Sequence, residues 1–204
     1  MKEEKIIKRP DLEKGLIQVY TGSGKGKTTA ALGLALRASG HGFKTFIVQF
    51  MKGNGYYGEL FALQRLYPQI QIAQYGRNCP HDPMIRQGEM KCLGCMTCFV
   101  RKGEGTKQDL FMAQKALEKT KALLHSGEFD LVILDELSNA IYFELVSLEE
   151  ALEVIEGKPD HVELVITGRN TPAEIIEKAH LVTEVNEVKH PYQIGVASRR
   201  GIEY

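Results

Sequence analysis

The chain of 204 residues contains no tryptophan, no excess of either charge and no long apolar run. Lysine plus arginine number 26 and aspartate plus glutamate number 26, so the formal net charge is zero. That balance argues against nucleic acid as the main partner, because proteins that grip a phosphate backbone usually carry a basic excess. No stretch approaches the ~18–20 apolar residues of a transmembrane helix, so no membrane span is expected. The N-terminus, MKEEKIIKRPDLEKG, lacks the apolar core of a secretory signal, and the expected location is the cytoplasm. Cysteine is scarce and confined: Cys79, Cys92, Cys95 and Cys98 are the only four. In a reducing compartment such clustering points to metal rather than to disulfides. Internal repeats, low-complexity tracts and interdomain linkers are also missing, and the length suits a single domain over residues 1–204.

What is present alternates. Residues 15–21 form an apolar run followed by a glycine loop, and an Ala/Leu-rich stretch to Ser39 predicts a helix. KTFIVQF (44–50), IQIAQY (70–75), FDLVILDE (129–136) and HVELVITG (161–168) read as strands. Helices are expected over about 59–67, over 106–126 with Leu110, Ala113, Leu117 and Leu124 on one stripe, and after Ser147, whose spacing to Glu150 is a capping box. Thr171, Pro172 and Glu174 are placed as N-cap, N1 and N3 of a last helix. Continuous Val/Ile/Leu strands separated by helices predict an α/β fold with a mostly parallel sheet flanked by helices. Residues 76–105 resist this pattern, and 77–105 reads as a cysteine-rich insertion that requires a reason of its own.

The loop LIQVYTGSGKGKTTAALGLALRA carries the first chemistry. Gly26, Lys27 and Thr28 end the pattern G-x-x-x-x-G-K-[ST], although Thr21 stands where its first glycine would be, and Gly22 and Gly24 supply the flexibility. Glycines let backbone N–H groups approach phosphate, the helix N-terminus adds its positive dipole end, Lys27 adds charge and Thr28 a hydroxyl for Mg²⁺. Asp135 and Glu136 end a strand where ligands of open α/β sheets bind, and one of them is expected to hold Mg²⁺. The fold is therefore P-loop NTPase-like.

With these residues the chain resembles the P-loop type ATP:corrinoid adenosyltransferases. The carriers are GLIQVYTGSGKGKTTAALGLALRASGHG, VQFMKG, FDLVILDEL, VITGR and the tail EVKHPYQIGVASRRGIEY. The resemblance covers roughly residues 15–204 apart from the cysteine segment. It implies transfer of the 5′-deoxyadenosyl group of ATP to Co(I) of a reduced corrinoid, with triphosphate released. It implies ATP held in reverse of the usual orientation, a homodimer, and an electron donor such as a flavodoxin-like reductase. By position it implies that Gly22, Ser23, Gly24, Lys25, Gly26, Lys27, Thr28 and Thr29 bind ATP, and that Thr28 and Glu136, or Asp135, bind Mg²⁺. Arg37 and Arg169 match arginines that contact the nucleotide; read alone, they are a surface helix charge and a solvated strand-end charge. It implies that Lys27, Thr28 and Glu136 carry the catalysis. Family members place Phe and Trp under the corrin ring; here CFVRKG supplies Phe99 but Arg101. The first fourteen residues match a segment that folds over the corrin.

Two other readings use the same loop: a nucleoside or small-molecule kinase, and a nucleotide-dependent switch that docks a partner through the cysteines. Cys92, Cys95 and Cys98 fall at C-x₂-C-x₂-C with Cys79 upstream. Four thiolates close a tetrahedral Zn²⁺ site or hold a [4Fe–4S] cluster, and the repeated spacing leans toward iron–sulfur. His81 is a substitute ligand in the zinc case.

Overall fold

The structure, a computed structural model, describes residues 12–53 and 55–204. The expectation that the first fourteen residues cover a corrin falls largely on residues 1–11, outside the described residues. In chain order the regular elements are β1 (Ile17–Thr21), α1 (Lys27–Ser39), β2 (Thr45–Phe50), α2 (Gly58–Gln64), β3 (Ile70–Tyr75), α3 (Asp82–Gln87), α4 (Lys107–His125), β4 (Leu131–Asp135), α5 (Leu137–Tyr142), α6 (Leu148–Glu156), β5 (Glu163–Thr167), α7 (Ala173–Lys178) and β6 (Leu181–Glu184). The strands form one sheet in the order β3-β2-β4-β5-β1-β6, and every pairing is parallel.

The alternation of each strand divides the core into two layers. Phe46, Val48 and Phe50 of β2 and Val132 and Leu134 of β4 join the layer that contains Leu117 and Leu124 of α4 and Val154 of α6. Ile47, Leu131, Ile133 and Val165 point to the other layer, against Ala31 and Ala35 of α1. Alanine on α1 keeps that helix close to the sheet, which sets its N-terminus at the strand ends. Every residue of β2 and of β4 is buried, including the polar Thr45, Gln49 and Asp135, as expected for strands covered on both faces.

Several elements differ from expectation. Leu110 is exposed, and Ala113, Ala116, Leu117, Thr120, Leu123 and Leu124 form the buried face of α4. Pro172, not Thr171, is the N-cap of α7, and its side chain makes no cap bond; the Thr171 hydroxyl instead donates to Thr21 Oγ1 at 2.9 Å. Strand β6 is a short, exposed edge held by β1 alone. The segment expected to be irregular contains α3, and the capping box at Ser147 and Glu150 forms as expected.

The cysteine segment is fastened at its C-terminal end by Arg77. Its Nε and Nη2 donate to the two carboxylate oxygens of Asp109 at 2.8 and 2.5 Å, while Nη1 and Nη2 reach the carbonyls of Phe99 and Glu104, each at 3.3 Å. Asp109 also accepts from the backbone N–H and hydroxyl of Thr106, completing a capping box on α4. The Arg77 hydrogen bonds, helped by those from Thr106, hold the Asp109 carboxyl at about 2. A folded value below the unfolded ~3.9 contributes stability above about pH 4, and that contribution fades as pH falls toward 2. We expect Asp109→Asn to lower stability by about 2 kcal/mol at pH 7. Thermal unfolding should show a drop of roughly 4–8 °C at pH 7, with the two proteins converging near pH 2–3. Equal melting temperatures at pH 7 would remove the staple role.

Candidate active site

The glycine loop owes its shape to contacts that only glycine permits. Gly22 has φ 97°, and a Cβ there would lie 2.5 Å from the Val185 carbonyl oxygen. The N–H of Gly24 donates to that same carbonyl at 2.7 Å, so the loop lies against the backbone that continues from β6. Gly26, at φ 120°, caps α1, whose first turn carries no acid. The N–H groups and dipole of a 13-residue helix thus face the strand ends uncompensated by an acidic side chain of that turn. Lys27 is buried and donates to the carbonyls of Gly22 and Gly24, both at 2.7 Å. Burial, and then the charge of Arg169, pull its ammonium below the usual lysine range.

Asp135 at the end of β4 is completely buried, and four hydrogen bonds satisfy its carboxylate. Oδ1 accepts from Thr28 Oγ1 at 2.8 Å and Thr167 Oγ1 at 2.7 Å. Oδ2 accepts from Gln49 Nε2 at 3.0 Å and Lys52 Nζ at 2.7 Å. Burial works against the charge, but Lys52 and these hydrogen bonds outweigh it and keep the carboxyl below its usual range. Burial likewise opposes the Lys52 ammonium, and Asp135 with Glu136 and Tyr57 holds it above the usual lysine range. Because β5 lies between β4 and β1 in the sheet, Thr167 bridges the gap that Thr28 must span.

Glu136 has φ 66° and turns the chain from β4 into α5. Its N–H donates to Thr167 Oγ1, and its carboxylate accepts from Asn139 Nδ2. Asn139 Oδ1 in turn accepts the Arg169 N–H at 2.8 Å. Burial, reinforced by Asp135, raises the Glu136 carboxyl above its usual range.

Two cavities meet over these groups. One, of about 500 Å³, lies on the glycine loop and includes Lys25, Lys27, Thr28 and Thr29. The other, of about 490 Å³, has apolar and aromatic walls from Phe50, Met51, Phe99, Tyr142 and Phe143. Lys52, Tyr57, Glu136 and Arg169 line both. A phosphate-like pocket and an apolar one thus share a charged boundary, an arrangement fit for an anionic ligand beside a large ring.

The expected residues separate accordingly. Gly24, Lys25, Gly26, Lys27, Thr28, Thr29, Glu136 and Arg169 line the loop cavity, with Gly22 and Ser23 in the adjoining turn. Asp135 lies beneath it, fully engaged. Phe99 faces the apolar cavity, whereas Arg101 lines neither. Arg37 is exposed in the last turn of α1, roughly 15 Å from Lys27 by helical rise, and is not brought to the loop cavity. The four cysteines line a third cavity, of about 280 Å³, but among the described residues no three Cys, His, Asp or Glu side chains are placed to hold one ion. Sequence reasoning missed Lys52, Tyr57, Asn139 and Glu203, whose carboxylate sits 2.8 Å from Lys25 Nζ. Lys52 had a signal: a lysine just past an apolar strand, at the edge where Asp135 also ends.

A family model described as ATP:corrinoid adenosyltransferase BtuR/CobO/CobP matches residues 13–204. A corrinoid adenosyltransferase from a Sinorhizobium species is 34% identical over 98% of this chain and 86% of its own length. Similar proteins of that description from Escherichia coli K12 and Salmonella typhimurium LT2 are 33% and 32% identical over 94% of this chain and 87% of theirs.

The Lys52–Asp135 pair yields a prediction independent of any substrate. Lys52→Ala leaves a buried carboxylate without its cation and should cost on the order of 3 kcal/mol in urea unfolding. Adding Asp135→Asn should recover part of that loss, because the stranded charge is gone. Strictly additive losses would show that the pair is not coupled.

Proposed function

This chain belongs to the ATP:corrinoid adenosyltransferase family, and from that premise we propose how its residues perform the reaction. ATP places its triphosphate on residues 22–29, and the reduced corrinoid occupies the aromatic cavity. The C5′ atom of the ribose then lies near the boundary formed by Lys52, Tyr57, Glu136 and Arg169. The observation that carries this reading is that boundary, where the phosphate-binding and apolar cavities meet over four shared side chains.

Co(I) of the corrinoid substrate attacks C5′. A Co–C bond forms as the C5′–O bond breaks, the bonding electrons pass to the triphosphate oxygen, and the cobalt becomes formally Co(III). No side chain needs to be nucleophile or general base. The protein acts by positioning and by stabilising charge on a leaving group that departs whole. Lys27 commits two of its three ammonium protons to the Gly22 and Gly24 carbonyls, leaving one for a phosphate oxygen. The α1 N-terminus contributes N–H donors, and Arg169 neutralises charge at the boundary. Phe99, Tyr142 and Phe143 present aromatic surface to the corrin.

Thr28 and Glu136 would hold Mg²⁺. Thr28 donates its proton to Asp135 and so keeps oxygen lone pairs for a cation, whereas the Asp135 oxygens are already engaged. Few protein donors suit Mg²⁺, which takes most of its shell from phosphates and water. The cation would screen the triphosphate charge. Arg37 and Arg101 have no part in this scheme. The electron that makes Co(I) is left to a separate donor, such as a flavodoxin-like reductase, in the cytoplasm. A homodimer is supported by an apolar surface around edge strand β6 and the following segment, where Val188 and Ile194 are 90% and 81% exposed. No helix among the described residues is long and apolar enough to cross a membrane.

The test is anaerobic incubation with cob(I)alamin and Mg-ATP, following the corrinoid spectrum and the phosphate product. Triphosphate with an alkylated cobalt is expected; ADP with the adenosyl group intact would favour the kinase. Lys27→Ala and Thr28→Ala should each slow transfer about a hundredfold, or ~3 kcal/mol, with the fold retained. Glu136→Gln should raise the Mg²⁺ concentration needed for half-maximal rate, and an unchanged titration would remove Glu136 as a ligand.

A further inference from the structure

Adenosyl transfer leaves the four cysteines unused. The stretch between β3 and α4 holds every cysteine of the chain, and it is built rather than loose. Cys79 and Cys98 are buried with Tyr56, Ile85 and Tyr204 in a cluster apart from both core layers. No disulfide joins any of the four, yet all four face one cavity of about 280 Å³.

One of the sulfurs already has a polar neighbour. The Thr97 hydroxyl lies 3.2 Å from Cys95 Sγ. A hydroxyl so placed holds the sulfur in one orientation, as outer-shell groups do around bound metals. Between and beside the last three cysteines, Gly94 and Met96 adopt φ of 64° and 61°. Methionine is strained in that region, and Met96, half exposed, gains little packing in return. Such turns gather backbone N–H groups into the anion-binding concavities found at metal–sulfur sites.

We propose that Cys79, Cys92, Cys95 and Cys98 are the four thiolate ligands of one thiophilic metal centre, and that this centre braces the wall of the adenosyl-transfer site. All four sulfurs border one cavity, and the C-x₂-C-x₂-C spacing leans toward [4Fe–4S] over zinc. Bracing follows from shared walls: Tyr57, Cys98 and Phe99 border both the cysteine cavity and the aromatic cavity, and Glu203 borders the cysteine cavity and the glycine-loop cavity. Only this bracing rests on the adenosyltransferase reading; the ligand set does not.

The full chain is to be purified anaerobically after expression with iron and, separately, with zinc. Iron and acid-labile sulfide near four each per chain support the cluster. One zinc per chain supports the tetrathiolate centre and overturns the cluster. Less than stoichiometric metal in both preparations, with all four thiols titratable, overturns the centre altogether. Cys95 is exposed, so Cys95→Ser opens no core cavity, and it should reduce metal content at least several-fold while far-UV circular dichroism is unchanged. Retention of full metal by that variant would exclude Cys95 as a ligand. Hydrogen exchange over residues 92–104 should quicken on metal removal while β1 and β4 stay protected; no change there overturns the bracing. A metal-replete protein that fails to alkylate cobalt would defeat the adenosyltransferase reading and leave the metal site standing.

Discussion

The satisfaction of one buried carboxylate organises the site. Asp135 has no solvent to turn to, so its charge must be met from the protein, and the four donors that meet it come from four separate segments. Thr28 brings the start of α1, Gln49 the end of β2, Lys52 the turn that follows, and Thr167 the end of β5. Losing any one donor would leave a buried acceptor short of a partner, which is expensive in a low dielectric. The loop, the strand ends and the floor of both cavities are thereby held in a single arrangement. Asp135 acts as a fixed post, and its neighbour Glu136, turned outward by a left-handed backbone, is the acid that meets the cavities.

Much of this was legible in the sequence, and the reasons differ between elements. The buried strands announced themselves through the continuous apolar runs Phe46–Val48 and Leu131–Leu134, which suit strands covered on both faces. The glycine loop was legible because its residues serve backbone geometry that few other residues tolerate. What escaped was mostly tertiary. Strand β6 has four exposed residues and exists only through its pairing with β1. Lys52 sits in VQFMKG, but its role comes from a carboxylate 83 residues away. Arg37 sits in a stretch resembling the family, yet α1 carries it away from the cavity that its first turn helps to form.

The division of the site into a charged and an aromatic half matches the chemistry asked of it. A triphosphate needs donors and positive charge, while a corrin needs broad apolar surface, and water serves neither once the cobalt is reduced. The chain has no tryptophan, so its aromatic wall is assembled from phenylalanine and tyrosine drawn from β2, the N-cap of α2, α5 and its C-cap, and the cysteine segment. Phe99 belongs to a segment held by Arg77 on one side and bordered by the cysteine cavity on the other. The ring surface is therefore only as firm as the segment that carries it.

The separations in the Asp135 network have a kinetic meaning. Its partners lie 107, 86, 83 and 32 residues from it along the chain. Contacts of such high order close late, after the entropy of large loops has been surrendered, and parallel sheets assemble slowly for that reason. No short fragment can hold a partial version of this site. Nucleotide that recognises the completed arrangement binds the whole domain or nothing, so its occupancy couples to global unfolding. Above the dissociation constant, each tenfold rise in free ATP would then deepen the native well by about 1.4 kcal/mol.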